Sequence, residues 1–400
     1  MAIATKDDFA NHIKEIQAKD GYKSPLAFGI ARVDKGQLDN SKVLQATYAT
    51  LNWDRNLGSG AVFLDALEKS GQKVDFSDSE AVCEVTEDFL INSLESFAPY
   101  VAEATNKEHQ NVQIVKILAN LFENAKKENA KTDMYKIVFL FEDTNPKSVE
   151  SVYLKLTAIS QAQVELRSIC LDGAFGVLPN VAWSGNIPVE LDWLREFEME
   201  LKLSGSYPLI DSVDKFPRYL GHIIPADNTR ILDSSKVRFG AQLAPGTTVM
   251  PGASYINFNA GTLGAVMVEG RISSSAIVGA GSDVGGGASI LGVLSGTDGN
   301  PISIGENTLL GANSTTGIPL GDGCIIDGGV AIFAGTKVYI SSEDASKLNE
   351  INSDANLKEG VVKAQDLQSL NGLHFRSDSQ SGQIVVKRST KEVKLNSDLH

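Results

Sequence analysis

Few residues in this chain combine the chemistry and the spacing a reaction needs. The densest group lies at 250–271, MPGASYINFNAGTLGAVMVEGR. Here Asn257, Asn259, Thr262, Glu269 and Arg271 crowd polar groups onto a sequence that is otherwise small and apolar. Glu269, in VEGR, is the leading candidate. A carboxylate there can accept a proton from an attacking amine, or itself attack a thioester to give an acyl-anhydride. The alternative is a structural ion pair with Arg271. Asn257 and Asn259 are open between stacking structure and ligand contact. Gly285, Gly286 and Gly287 are open between a tight corner and bare backbone that a ligand arm can approach.

Other candidates read more simply. Asp283, Glu306 and Asp322 sit at turn positions and read as solvated corners. Asp327 stands where the repeat favours Gly. The five histidines are His12, His109, His222, His374 and His400, and none falls between Ile223 and Leu373. This argues against a zinc site of the carbonic anhydrase kind along that stretch, since it needs clustered histidines. A histidine base is absent there too, which leaves a carboxylate or the backbone for proton transfer. Cys83, Cys170 and Cys324 have neither metal-ligand nor disulfide-framework spacing and read as reduced thiols of a cytoplasmic protein.

The elements that must position these groups change character along the chain. Residues 1–222 read as an α/β domain. Helical spacing occurs near 9–16, 61–67, 89–104, 112–127, 148–160 and 188–203. Strands are expected at 26–33 (LAFGIARV), 135–141 (YKIVFLF) and 164–171. From 223 to 340 the period becomes six. Ile231, Val237, Leu243, Val249 and Tyr255 form one register; Ile272, Val278, Val284 and Ile290 a second; Ile304 and Leu310 a third; Leu320, Ile326, Ile332 and Val338 a fourth. Such a hexapeptide repeat marks a β-helix whose aliphatic residues point inward. Gly279, Gly285, Gly305, Gly311 and Gly321 directly follow aliphatic positions; the small residues allow the turn, and Gly supplies positive φ where it is needed. Residues 292–301 break the repeat and read as a loop. Residues 341–400 form a third segment, with Ser381-Gly382 at a hairpin turn.

The net charge of −14, from 36 basic and 50 acidic residues, argues against nucleic acid or an anionic membrane as partner. The N-terminus reads as an amphipathic helix rather than a signal peptide, and no apolar run approaches a membrane span.

The coil sequence from MPGASYINFNAGTLGAVMVEGRIS through ISIGENTLLGANSTTGIPLGDGCIIDGGVAIFAGTKV resembles the tetrahydrodipicolinate N-succinyltransferases, in their longer branch. The resemblance is dense over 216–338 and resumes at 375–386. It implies a left-handed parallel β-helix in a homotrimer, with active sites between subunits. It also implies succinyl transfer from succinyl-CoA to the amino group of ring-opened tetrahydrodipicolinate, in diaminopimelate and lysine biosynthesis. The catalytic glutamate of the family falls on Glu269. Its CoA contacts fall on Arg271, Gly286, Ser289, Ala312, Asp327, Gly328, Gly335, Lys347, Arg376, Ser377, Asp378 and Ser379. Asp327 stands where relatives have glutamate. The acidic residues that hold magnesium in some relatives are replaced by Ser235 and the PGAS turn, which puts that metal in doubt. An acetyl-CoA-dependent enzyme and a silent hexapeptide scaffold are the competing readings.

Overall fold

In the computed structural model, residues 3–293, 299–391, 393 and 395 are described. The chain packs as two units, Met1–Ala158 with Ile169–Phe216, and Ile159–Ser168 with Pro217–His400. Of the 292–301 loop, residues 294–298 lie outside the described residues.

In the first unit, strands Ala27–Lys35, Val43–Tyr48, Glu80–Glu84 and Tyr135–Leu140 make one sheet in which every pairing is antiparallel. The apolar run of Tyr135–Leu140 explains its central place between Ala27–Lys35 and Glu80–Glu84. Helices Leu57–Lys69, Glu87–Ser96 and Gln110–Glu128 bury Phe63, Phe89 and Val115 in a core shared with Phe28 and Phe139 of the sheet. Two expectations fail here. The helical stripe of 188–203 is a strand, Ile187–Val189, and two short helices, Leu191–Glu196 and Glu198–Ser204, broken at Phe197. The stretch 164–171 forms no strand, because Arg167 takes a left-handed φ of 67° that ends extended pairing.

The second unit is built from two-residue strands in three parallel ladders. The chain visits the ladders in turn. For example, Met267–Val268, Arg271–Ile272 and Ile277–Val278 pair with Asp283–Val284, Ser289–Ile290 and Ser303–Ile304 of the next coil. Inward positions are fully buried, among them Val249, Ile272, Val278, Ile290, Ile326 and Ile332. The first register slips by one: five residues, 250–254, join Thr248–Val249 to Tyr255–Ile256, so Ile256 points inward and Tyr255 is half-buried.

Most corners have four residues, and two of their positions explain the glycines. The first meets the next coil's backbone: a Cβ on Gly285 would lie 2.6 Å from Leu310 O, and one on Gly311 2.6 Å from Gly328 N. The third carries the positive φ, as at Gly287 (72°) and Asn313 (56°). The glycine after the aliphatic residue therefore serves close approach, not left-handed backbone.

After the last corner, strand Lys337–Ile340 does not pair with the coil strands. It pairs with Gly360–Lys363 and Ile384–Arg388. The hairpin of Leu373–Ser377 and Ile384–Arg388 is wedged into the ladder, with His374 and Phe375 parallel to Ile325 and Ile326.

Candidate active site

Glu269 and Gly270 make a corner two residues long, between Met267–Val268 and Arg271–Ile272. Stacked corners 285–288, 311–314 and 327–330 have four residues each. The short corner leaves a step in the prism edge. Only glycine closes it, since a Cβ at Gly270 would come 2.4 Å from Ala288 O. Both sides of the step are tied down: Glu269 N–H donates to Val284 O (2.8 Å), and Gly287 N–H donates to Glu269 O (3.3 Å). The half-buried Glu269 carboxylate lies over Gly286, whose added Cβ would sit 3.7 Å from Glu269 Oε2. The shortened corner thus sets a carboxylate above bare backbone.

The side chain of Arg271 is engaged by a serine. Its Nη2 and Nε donate to Ser289 Oγ at 2.7 and 3.2 Å, across paired strands. Among the described residues Arg271 and Glu269 form no ion pair. The structural ion pair that the sequence allowed is not what the side chains make.

Gly286, Ala312 and Gly328 stack in one column. Asn313 N–H donates to Gly286 O (2.9 Å) and Gly329 N–H to Ala312 O (2.8 Å). Ala312 and Gly328 are exposed, so the column is a strip of accessible main chain starting at Glu269. At its far end Asp327 N–H donates to Phe375 O (3.0 Å). The Asp327 carboxylate receives Arg376 Nε at 2.8 Å and lies 2.7 Å from His374 Nε2. Partial burial pushes the Asp327 carboxyl up, but the His374 hydrogen bond and the Arg376 guanidinium outweigh it and hold it below its ordinary value.

Arg376, Ser377, Asp378 and Ser379 line a cavity of about 410 Å³ together with Lys387. Lys387 is a cation the sequence reading missed. The alternation of the QIVVKR strand was its available signal, since it shares a sheet with His374 as a register pair. Asp378 accepts the backbone N–H groups of Gln380 (2.8 Å) and Ser381 (2.9 Å) and so shapes the hairpin turn.

Two candidates stand apart from this line. Gly335 belongs to the next corner, 333–336, where an added Cβ meets open space. Lys347, on helix Ser342–Ile351, pairs with Glu343 one turn earlier (2.5 Å). The two asparagines have structural partners: Asn257 Oδ1 accepts from Arg238 (3.2 Å) and Asn259 Oδ1 accepts from Arg167 N–H (3.0 Å).

Comparison with known proteins matches three stretches to one family. Residues 7–176 match the tetrahydrodipicolinate N-succinyltransferase N-terminal region, and 178–218 match its middle region. Residues 301–334 match the hexapeptide repeat of succinyl-transferase. The chain is 62% identical over 399 residues to a 2,3,4,5-tetrahydropyridine-2,6-dicarboxylate N-succinyltransferase of Sulfurovum sp. (strain NBC37-1), covering 100% of this chain and 99% of that one. It is 56% identical over 398 residues to the enzyme of that name from Campylobacter jejuni, with both chains covered to 100%. A crystal structure from Campylobacter jejuni, described as a tetrahydropyridine-carboxylate N-succinyltransferase, superposes with a TM-score of 0.92 at 56% identity, over 98% of this chain and 100% of that one. Relatedness therefore extends over both units and not only the repeat, and the chain belongs to the tetrahydrodipicolinate N-succinyltransferase family.

Proposed function

We propose that this chain transfers the succinyl group of succinyl-CoA to the amino group of ring-opened tetrahydrodipicolinate, giving N-succinyl-2-amino-6-oxopimelate and CoA. This step belongs to diaminopimelate and lysine biosynthesis. The observation that carries the reading is full-length identity of 56–62% to N-succinyltransferases. Glu269, set over bare Gly286 backbone at a shortened corner, supplies the chemistry the reading needs. Neither the acetyl-CoA alternative nor the silent scaffold is favoured by those relatives.

In this reading the acceptor nitrogen attacks the thioester carbonyl. The new C–N bond forms, the C–S bond breaks, and the sulfur leaves as thiolate. Glu269 takes the proton the nitrogen must lose. The Gly286–Ala312–Gly328 strip accommodates the pantetheine arm, since no side chain larger than methyl projects from it. Arg271, oriented by Ser289, lies beside the thioester end. Arg376 and Lys387 meet the anionic nucleotide end, with Ser377 and Ser379 as hydroxyl partners. Asp327 aims Arg376 rather than touching phosphate, and Asp378 acts through the turn it shapes. Lys347 would serve as a phosphate contact only by leaving Glu343, and Gly335 by leaving room.

The same reading includes a left-handed winding, a homotrimer with sites between subunits, and a cytoplasmic location. It divides the chain into an N-terminal domain over 1–222, an acyltransferase domain over 223–340 and a closing segment over 341–400. Its support is the coil sequence's resemblance to the family. Among the described residues no helix is long and apolar enough to cross a membrane.

The test is release of free thiol from succinyl-CoA in the presence of 2-aminopimelate, a stable acceptor analogue, with acetyl-CoA run in parallel. Release with succinyl-CoA alone is expected. No release with either donor overturns the enzyme reading, and preference for acetyl-CoA overturns the donor.

A further inference from the structure

The stretch Ile159–Ser168 packs with the prism although the chain on both sides belongs to the other unit. Its base is fixed within that other unit by Lys155. That ammonium is almost fully buried and donates to Asp143 Oδ1 (2.7 Å), Thr144 O (2.6 Å) and Cys170 O (2.8 Å). Its start is held on the prism, where Ser160 Oγ accepts the Gly240 N–H (3.0 Å). Its end is held at Arg167, whose N–H donates to Asn259 Oδ1 (3.0 Å) and whose Nη2 donates to Ser303 Oγ (2.7 Å).

Arg167 combines three features. Its backbone is left-handed, with φ 67°, a conformation that persists in a long side chain only where the surrounding structure holds it, here through the Asn259 contact. Its side chain is half-buried, and that burial pulls the guanidinium below its ordinary pKa. Among the described residues it has no carboxylate partner: its side-chain hydrogen bond goes to a neutral serine. A half-buried guanidinium without an anion is costly unless one arrives.

Its position is informative. Asn259 lies in the corner after Tyr255–Ile256, and Ser303 lies two ladder steps away, through Gly261–Ile277–Ser303. The Arg167 side chain therefore crosses the level of the intervening corner, 273–276, which directly follows Arg271–Ile272. Glu269 and Arg167 thus stand at opposite edges of one prism face. The edges are four residues apart, from Glu269 to Ser273, on the order of 13 Å of extended chain. An extended seven-carbon diacid is shorter than that span, and a hydrogen bond of about 2.8 Å at each end makes up the difference.

We propose that Arg167 binds the acceptor's carboxylate remote from the reacting amine. The inference rests on the succinyl-transfer reading above. Glu269 serves the amine at one edge of the face, and Arg167 anchors the far end of the diacid at the other. Arg167 is in this sense a specificity-determining residue for a dicarboxylate acceptor.

The test pairs a side chain with a substrate group. Wild-type protein and Arg167→Gln are compared on 2-aminopimelate and on 2-aminoheptanoate, which lacks the remote carboxylate, with succinyl-CoA as donor. Wild type is expected to prefer 2-aminopimelate in kcat/KM by tenfold to a hundredfold, the order of a lost charge-assisted hydrogen bond. Arg167→Gln is expected to lose most of that preference, through KM for the diacid, while KM for succinyl-CoA holds. Equal preference in variant and wild type overturns the proposal. If Arg167→Gln does not fold, Arg167→Lys carries the test: it keeps the charge but loses the guanidinium fork, and a preference reduced severalfold is expected. An unchanged preference overturns the proposal there too. No turnover of 2-aminopimelate by wild type would instead strike the succinyl-transfer reading itself.

Discussion

Asp327 holds Arg376 through one carboxylate oxygen and His374 through the other, so one corner residue of the prism fixes two residues of the C-terminal hairpin. These three side chains join the end of the bare-backbone strip to the cavity bearing Arg376 and Lys387. Replacing Asp327 by Asn leaves the shape and removes the charge. KM for succinyl-CoA is expected to rise about tenfold, the scale of one weakened charge-assisted hydrogen bond, with KM for the acceptor unchanged. Steady-state kinetics with each substrate varied in turn check this.

The same carboxylate gives the protein a pH signature. Its folded pKa lies below the unfolded value near 3.9, so its contribution to stability is present above that value. It is lost as pH falls through the folded pKa. Thermal midpoints of wild type are expected to drop more steeply than those of Asp327→Asn once the pH goes below about 4, and to run parallel with them above about 5. Parallel curves throughout would mean that the hairpin contact adds nothing to stability.

Two glycines one coil apart should respond oppositely to alanine. At Gly286 the new methyl meets Glu269 at ordinary contact distance, so the fold is expected to survive while kcat/KM falls tenfold or more. At Gly270 the methyl collides with Ala288 O, and the short corner cannot yield. A loss of about 3 kcal/mol is expected, seen as a lower unfolding midpoint in urea.

Glu269→Gln keeps the size of the side chain and removes its basicity. We expect kcat to fall by about 10²–10⁴, the usual range for a lost general base, with KM for succinyl-CoA near wild type. A kcat within twofold of wild type would remove Glu269 from proton transfer.

Burial pushes the Cys324 thiol up to about 11, which leaves little thiolate at neutral pH. In native protein Cys324 is expected to resist a disulfide reagent that it consumes readily in denaturant. Mass mapping of the modified cysteine verifies this and bounds the background in thiol-release assays.

The period of six located the inward residues of the second unit well, because each buried aliphatic side chain leaves its mark at a constant step. What it lacked was corner length. A corner of five at 250–254 moved Tyr255 off the inward line, and a corner of two put Glu269 over Gly286. Both depend on pairing with the neighbouring coil, which the sequence of one coil does not carry. Glycines were visible, but their reason was not: close approach at Gly285 and positive φ at Gly287 look alike in sequence. The stretch 164–171 had a strand's composition, yet Asn259, some ninety residues later, holds Arg167 in a conformation no strand allows.

The wedged hairpin has a further consequence for how such a prism can vary in length. Leu373–Ser377 both terminates the stack of coils and carries Arg376 into the cavity. An extra coil inserted before it would lift Arg376 and Lys387 away from Glu269 by one strand spacing, about 4.8 Å. A coil added at the Arg230–Ile231 end would leave that distance untouched. Only a coil added at that end keeps the span from Glu269 to the hairpin, and the ruler that measures this span is the number of coils between them.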